Sequence, residues 1–346
     1  AQLAILIDTS SSMDGLIQQA KTQLWRIVNE VAAAKKGGEA PALQVAVYQY
    51  GNSGLSVRDQ WIEQVVPFTS DLDRVSEALF GLRTNGGEEY AGAAIQDSLR
   101  QLAWSTDPGA YKAIFIAGNE PFTQGQVPFR EAIAAAVRKG VVVNTVYCGR
   151  REQGMQEQWL AGAQAGGGEY LVIDQDSSVA MLAAPQDDEI SRLSMRLNDT
   201  FVPMGSLGRR KKENQARQDG NALASARGAG AERAAFKAAP QYAKAATEWD
   251  AVSAIMVGGA APAALAADEA ALPEEMKEMD KEERVRHLES KAKDRKELEG
   301  KIRGLQAERE KYLKTQEKGA GTSSLGKAVV EAVRKQAAKR GYNFKS

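Results

Sequence analysis

The chain has 346 residues, 43% hydrophobic and 26% charged, with 45 basic and 45 acidic side chains. That length exceeds one ordinary core, and the composition excludes wholesale disorder. A single cysteine and a single histidine exclude an intrachain disulfide and any cysteine-rich or multi-histidine zinc site.

Six short apolar runs come first: 2–7 (QLAILI), 43–50 (LQVAVYQY), 61–66 (WIEQVV), 112–117 (KAIFIA), 141–147 (VVVNTVY) and 169–173 (EYLVI). Several are continuous and rich in Val and Ile, as strands covered on both faces are. Between them Ile17, Ala20, Leu24, Ile27 and Val31 recur at three- and four-residue steps. Leu72, Val75, Leu79 and Leu82 do the same, as do Ala94, Ile95, Leu99 and Leu102. These spacings predict amphipathic helices. Strand–helix alternation over 1–187 predicts an α/β fold with a doubly wound, mostly parallel sheet.

A mainly helical C-terminal region is predicted beyond Pro185. Within a helical and linker region at 188–273, one helix is expected over 188–200, with Ile190, Leu193 and Leu197 on one side. Residues 203–235 read as loosely ordered or partly helical, the segment around Trp249 as a short helix, and 258–273 as an Ala/Gly/Pro linker. At 274–318 a long charged helix is predicted from Val285, Leu288, Ala292, Arg295, Leu298, Ile302, Leu305, Arg309 and Tyr312. Its two arginines thin the apolar seam, which leaves a solvated charged helix or a coiled-coil strand capable of helix-mediated self-association. A basic amphipathic helix over 325–340 closes the last region, 319–346. No apolar run nears the ~18 residues that a membrane helix takes.

Charge is unevenly spread. Residues 1–187 hold 21 acidic and 14 basic side chains, against 24 and 31 in the remainder. The two parts should attract different partners.

At the end of the first strand stands "DTSSSMDG" (8–15). In an open parallel sheet, ligands bind beyond the carboxyl ends of the strands. Asp8, Ser10 and Ser12 are spaced i, i+2, i+4 and form a set of hard oxygen donors suited to Mg²⁺. The plainer reading is that Ser12 and Asp14 cap the following helix.

This stretch and three later ones make the chain resemble the von Willebrand factor type A (VWA) family over roughly 1–187. D-x-S-x-S at Asp8, Ser10 and Ser12 matches that family's metal-ion-dependent adhesion site. Gly86–Gly87 before "AGAAIQDSL", "KAIFIA" followed by "GNEPF", and "AQAGGGEYLVI" fall where the family's second and third metal loops and last strand lie. The resemblance implies a Rossmann-like sheet and protein ligands, sometimes bound through an acidic residue that completes the metal's coordination. Two departures stand out. Glu88 and Glu89 stand where the family has a threonine, and Gly118, followed by Asn119 and Glu120, stands where it has an aspartate. The candidate ligand set is therefore Asp8, Ser10, Ser12, Glu88, Glu89, Asn119 and Glu120, for Mg²⁺, Ca²⁺ or Mn²⁺. A degenerate site without metal is the other reading. Because the added glutamates satisfy an ion internally, its expected role includes holding the loops together. "AGNEPF", "LNDTFVP" and "LPEEMKEM" extend the resemblance to a group of bacterial VWA-containing proteins, often exported.

Other motifs lead away from catalysis. "GTSSLGKA" (321–328) has Ala328 where a phosphate loop needs Ser or Thr, and it follows a charged helix instead of a strand. His287 lies within the charged helix and is expected at the surface. Cys148 ends a strand and is expected in the core. The basic run 209–212 (RRKK) lacks aromatic interleaving, so no nucleic-acid partner is expected. No catalytic residue is assigned, and an enzyme is not expected. The first functional reading is a metal-ion-dependent protein-binding module for adhesion or assembly. The alternative is a metal-independent scaffold of the bacterial envelope whose C-terminal helices make the contacts. The abrupt start at Ala1 adds an expected upstream signal peptide, with periplasmic or cell-envelope location ahead of cytoplasmic.

Overall fold

The structure, a computed structural model, describes residues 1–173, 183–258, 272–317 and 325–344. Two compact units divide the chain: 1–179 with 322–346, and 180–321.

In chain order the first unit begins with β1 (Gln2–Asp8), α1 (Asp14–Ala33), the two-residue β2 (Lys35–Lys36), β3 (Gln44–Tyr50), β4 (Ile62–Thr69) and α2 (Leu72–Gly81). It continues with α3 (Ala91–Gln101), β5 (Lys112–Gly118), α4 (Phe129–Arg138), β6 (Val142–Cys148), α5 (Arg151–Gln156), α6 (Trp159–Ala165) and β7 (Gly167–Ile173). The main sheet has the order β4-β3-β1-β5-β6-β7. Only β4 runs antiparallel to its neighbour. The chain winds outward from β1 through β3 and β4, then crosses back to β5. The order therefore reverses at β1, and in open sheets of this kind ligands bind beyond the carboxyl ends at such a reversal. Alternation along the strands fills both faces. Ala4, Leu6, Ala46, Tyr48, Ile114 and Ile116 join a buried cluster with Ile95, Leu99, Ile133 and Trp159 from α3, α4 and α6. Leu3, Ile7, Val45 and Val47 are also buried, as are Leu24, Trp25 and Val28 of α1.

The second unit is helical: α7 (Asp187–Asn198), α8 (Gly205–Ser225), α9 (Arg227–Lys237), α10 (Pro240–Ala246), α11 (Ala251–Gly258) and α12 (Lys281–Glu317). Residues 205–225 and 227–237 are therefore continuous helices and not loose chain. Their interior positions are small, with Ala222, Ala229, Ala231 and Ala234 buried, and their charges pair internally. The seam of α12 is covered within its own unit. Leu288, Leu298 and Ile302 are buried together with the two seam arginines, Arg295 at 1% exposure and Arg309 at 0%. Arg309 donates to Asp187 and Glu232, both at 2.6 Å. Arg295 donates to Asp250 (2.7 Å), Ser253 (2.9 Å) and Thr200 (2.9 Å), with its guanidinium 3.9 Å from the Phe201 ring centroid. Arg233 donates to Asp219 at 2.9 Å, and Lys237 donates to Asp219 and Asn198. The helix is thus neither solvated along this stripe nor open to a second strand there. Lys212, from the basic run, lies in α8 and donates to the Phe201 carbonyl at 2.8 Å. Trp249 sits between α10 and α11 and stacks on Phe201. His287, expected at the surface, is largely covered and lies 3.6 Å from Glu275.

The last described segment returns to the first unit as α13 (Leu325–Ala338) and β8 (Tyr342–Asn343). Its apolar stripe, Val329, Val330, Val333 and Ala337, is buried, in a helix that packs on α1 and β7. Gln336 donates to Asn144 of β6 at 2.5 Å and accepts from Tyr111 Oη at 2.8 Å. Arg334 forks onto Glu30. Gly326 permits the close crossing with α1, since a Cβ there would stand 2.2 Å from Gln23 Oε1. β8 pairs with β2. The sequence separates 319–346 as a region of its own; the apolar stripe of α13 instead finds its cover on the sheet unit. The predicted linker at 258–273 and the glycine-rich start of "GTSSLGKA" lie largely outside the described residues.

Candidate metal centre at the carboxyl rim of the sheet

β1 ends in a carboxylate that the fold encloses completely: Asp8 is 0% exposed. Its Oδ1 accepts the Ser10 amide at 2.7 Å. Its Oδ2 has no hydrogen-bond partner among the described residues. Burial is the main reason the Asp8 carboxyl is pushed from its ordinary 3.8 up to about 7. Glu89 and Glu120 push the same way against the bonds from Ser10.

The hydroxyls beyond β1 are not used as a helix cap. Met13 occupies the N-cap of α1 with no side-chain cap bond, and Asp14 instead accepts from Thr84 Oγ1 at 2.7 Å. Ser10 Oγ and Ser12 Oγ lie 3.4 Å apart. Ser12 also receives Asn119 Nδ2 at 3.0 Å, which joins the first loop to the third.

Two glycines bring the second loop in. Gly51, just past β3, has φ +76, and a Cβ there would stand 2.8 Å from both Asp8 Oδ1 and Glu89 Cγ. Asp8 and Glu89 therefore lie within twice that distance of each other across a glycine that nothing larger could replace. Gly87 packs on the backbone of residue 51, where a Cβ would meet the Gly51 carbonyl oxygen at 2.4 Å. Burial, then Glu120 and Glu88, push the Glu89 carboxyl up to about 7, with Gln124 opposing. Glu120 is likewise raised, first by burial and then by Glu157. Glu88 lies further out, exposed, with Gln124 Nε2 3.5 Å from its Oε2.

Gly118 has a physical reason for being a glycine. A Cβ there would stand 2.7 Å from Tyr50 Oη and 3.0 Å from the Trp159 ring. Tyr50 donates to the Ala117 carbonyl at 2.9 Å, and Trp159 Nε1 to the Glu120 carbonyl at 2.8 Å. Aromatic rings fill the space of a longer side chain and pin the third loop. Cys148 is buried nearby; burial, then Asp8, raise its thiol well above its ordinary value.

The structure thus gathers Asp8, Ser10, Ser12, Asn119 and Glu89, sets Glu120 close enough to act on Asp8 and Glu89 electrostatically, and leaves Glu88 at the edge. Among the described residues no group of three or more His, Cys, Asp or Glu side chains converges as a metal cage. The donor set that fits a small hard cation here consists of one carboxylate with an orphaned oxygen, two hydroxyls and a neighbouring glutamate. Gly51, Tyr50, Trp159 and Glu157 were not legible as site residues. The glycine directly after an aromatic strand end is the one local signal among them.

The von Willebrand factor type A domain model matches residues 2–180, and the chain belongs to this family. Domains of the family are commonly protein-interaction and adhesion modules, some with a metal-ion-dependent adhesion site. Similar solved structures include the conserved hypothetical protein BatB from Bacteroides thetaiotaomicron, at 21% identity, covering 50% of this chain and 90% of that one, with TM-score 0.37. Another is an aerotolerance-related membrane protein from Bacteroides fragilis, at 17% identity, covering 50% and 92%, with TM-score 0.36. A third is proximal thread matrix protein 1 from the mussel byssus, with a zinc-occupied MIDAS motif, at 14% identity, covering 51% and 42%, with TM-score 0.39. No curated protein matches the chain. Among the described residues no helix is long and apolar enough to cross a membrane.

Proposed function

We propose that the chain is a protein-binding module that works through the carboxyl rim of its sheet, with a divalent cation held by Asp8, Ser10 and Ser12 and supported by Glu89 and Glu120. One observation carries this reading: Asp8 is fully buried, yet one of its oxygens has no partner. A buried carboxylate without a counter-charge is costly, and a fold tolerates it where something from outside supplies the charge. A bound ion would supply positive charge at a place where three loops meet. This chain's own residues set the rest. Gly51 admits Glu89 to Asp8, Asn119 ties the third loop to Ser12, and Tyr50 with Trp159 fixes the backbone at Gly118–Glu120.

Calorimetric titration of Mg²⁺ and Mn²⁺ into the chelator-treated full chain tests the site. Heat is expected from the wild type and none from Asp8→Ala; a wild type without heat sinks the metal reading. Recovery of a protein partner by the immobilised full chain should then depend on the ion. The full chain is required because residues 1–187 alone lack α13. Partners recovered equally with and without chelator, and lost on altering α7–α12, support the scaffold reading instead.

A further inference from the structure

Beside the rim carboxylates lies an aromatic pair for which the metal has no use. Trp61 and Tyr90 meet edge to face, centroids 5.5 Å apart and planes at 76°, and both rings are only partly buried. Tyr90 directly follows Glu88 and Glu89. Its ring passes so close to Gly125 (φ +90) that a Cβ there would stand 2.7 Å from it. Trp61 is held by backbone that bulky residues seldom adopt: Gln60 and Trp61 have φ +54 and +53. Its amide donates to the Ser56 carbonyl at 3.0 Å, and its carbonyl accepts from Gly51 at 3.1 Å. The same glycine thus touches both the aromatic pair and the Asp8–Glu89 contact.

Close to the rim the charge is acidic. Residues 8–20, 50–57, 84–99 and 118–129 contain no lysine or arginine, and Arg58, Arg83, Arg100 and Arg130 stand just beyond their ends. These segments carry Asp8, Glu88, Glu89 and Glu120 at the rim, with Asp14 and Asp97 further along, Asp97 being paired with Arg100 at 3.0 Å, and Asp8 keeps its unpartnered buried oxygen. One divalent ion offsets two negative charges and leaves an excess. Such a rim repels a partner's carboxylate and attracts a partner's cation. Exposed aromatic faces beside carboxylates suit a guanidinium or ammonium group, which stacks on the ring while it pairs with the acid.

We propose that this face takes an arginine or lysine side chain of a protein partner, seated against Trp61 and Tyr90 and ion-paired with Glu88 and Glu89. The proposal rests on the protein-binding reading above and inverts the polarity of ligand that the family resemblance implies.

The test uses the full chain and three fluorescent peptides of one Gly/Ser framework. One carries three arginines, one three citrullines (neutral isosteres of arginine) and one three glutamates. Anisotropy titrations are run with Mg²⁺ and with chelator. The arginine peptide is expected to bind in Mg²⁺, the other two not. Binding should weaken about tenfold in Tyr90→Ala and in the double variant Glu88→Gln/Glu89→Gln, in keeping with the loss of a ring contact or an ion pair. Tyr90→Phe and the remote Glu131→Gln should bind as the wild type, which separates lost contact from lost folding. The proposal is overturned if the glutamate peptide binds more tightly than the arginine peptide, or if Tyr90→Ala and the double glutamine variant bind the arginine peptide unchanged. Arginine binding without Mg²⁺ heat supports this proposal and removes the metal. Mg²⁺ heat with ion-dependent partner recovery but no arginine binding removes this proposal alone.

Discussion

In the sheet unit Asp8 is as enclosed as any core leucine, and one of its oxygens meets nothing. In the helical unit Asp187 and Asp250 are equally enclosed, and each meets an arginine within 2.7 Å. The helical unit also holds Asp219, largely covered, between Arg233 and Lys237. Burial works to raise its carboxyl, but Lys237 first and then Arg233 hold it below the ordinary range. The same residue type is thus held as an ion in one unit and pushed toward the proton in the other. Compensated buried charge specifies how helices fit together. An uncompensated buried carboxylate shifts toward its neutral, protonated form instead.

Removing one partner of a compensated pair is the harshest way to probe this contrast. Arg309→Leu leaves Asp187 and Glu232 facing each other without a cation. It should cost the helical unit about 3–5 kcal/mol, seen as lost hydrogen-exchange protection in α7, α9 and α12. A loss under ~1 kcal/mol would mean that these pairs do not hold the unit together.

Neutralising the uncompensated acid should have the opposite sign. Asp8→Asn is expected to stabilise the chelator-treated sheet unit by about 1–3 kcal/mol while abolishing the Mg²⁺ heat. Acid should act in the same direction. Asp8 titrates at about 7 when folded against 3.8 ordinarily, so between those values the folded state holds the extra proton. Stability of the chelator-treated sheet unit therefore rises as pH is lowered from about 8 toward about 5. The depressed Asp219 contributes stability that is present above its ordinary 3.8 and is lost only as pH falls below that value. Melts from pH 8 to 5 check the first sign and melts carried below pH 3.8 the second, and saturating Mg²⁺ should flatten the first slope. A sheet unit that weakens steadily from pH 8 to 6 would contradict the assignment.

Smaller effects test which unit owns the C-terminal helix. Gln336→Ala leaves Asn144 and Tyr111 without their buried partner and should cost about 1–3 kcal/mol, with protection lost in β6 and α1 and not in α12. Arg334→Ala removes an exposed pair with Glu30 and should cost less than ~1 kcal/mol in the same melts.

Much of the sheet unit is legible in the sequence because its information is local. Runs such as QLAILI and KAIFIA need only their own residues to declare strands covered on both faces, and β1 and β5 fall within a residue of the expected ends. The i, i+2, i+4 donors at Asp8, Ser10 and Ser12 are equally local. The helical unit hides its core. α8 and α9 bury alanines and ion pairs in place of a leucine stripe, and Arg309 finds its acids 77 and 122 positions away. At the rim, Glu89 reaches Asp8 only because Gly51 and Gly87 let two loops approach. Gly118 is explained only by the rings of Tyr50 and Trp159, which no spacing rule brings together.

The sheet unit is finished by α13, and some 150 residues of other structure lie between β7 and that helix in the chain. A ribosome adding roughly 5–20 residues per second takes about eight to thirty seconds to cross that stretch. Throughout that time the sites on α1 and β7 that α13 will cover stay bare, while helices α7 to α12 are made one after another ahead of it. The later-made unit can therefore finish folding before the earlier one, and nascent chains stalled near residue 320 should be the form most in need of a chaperone.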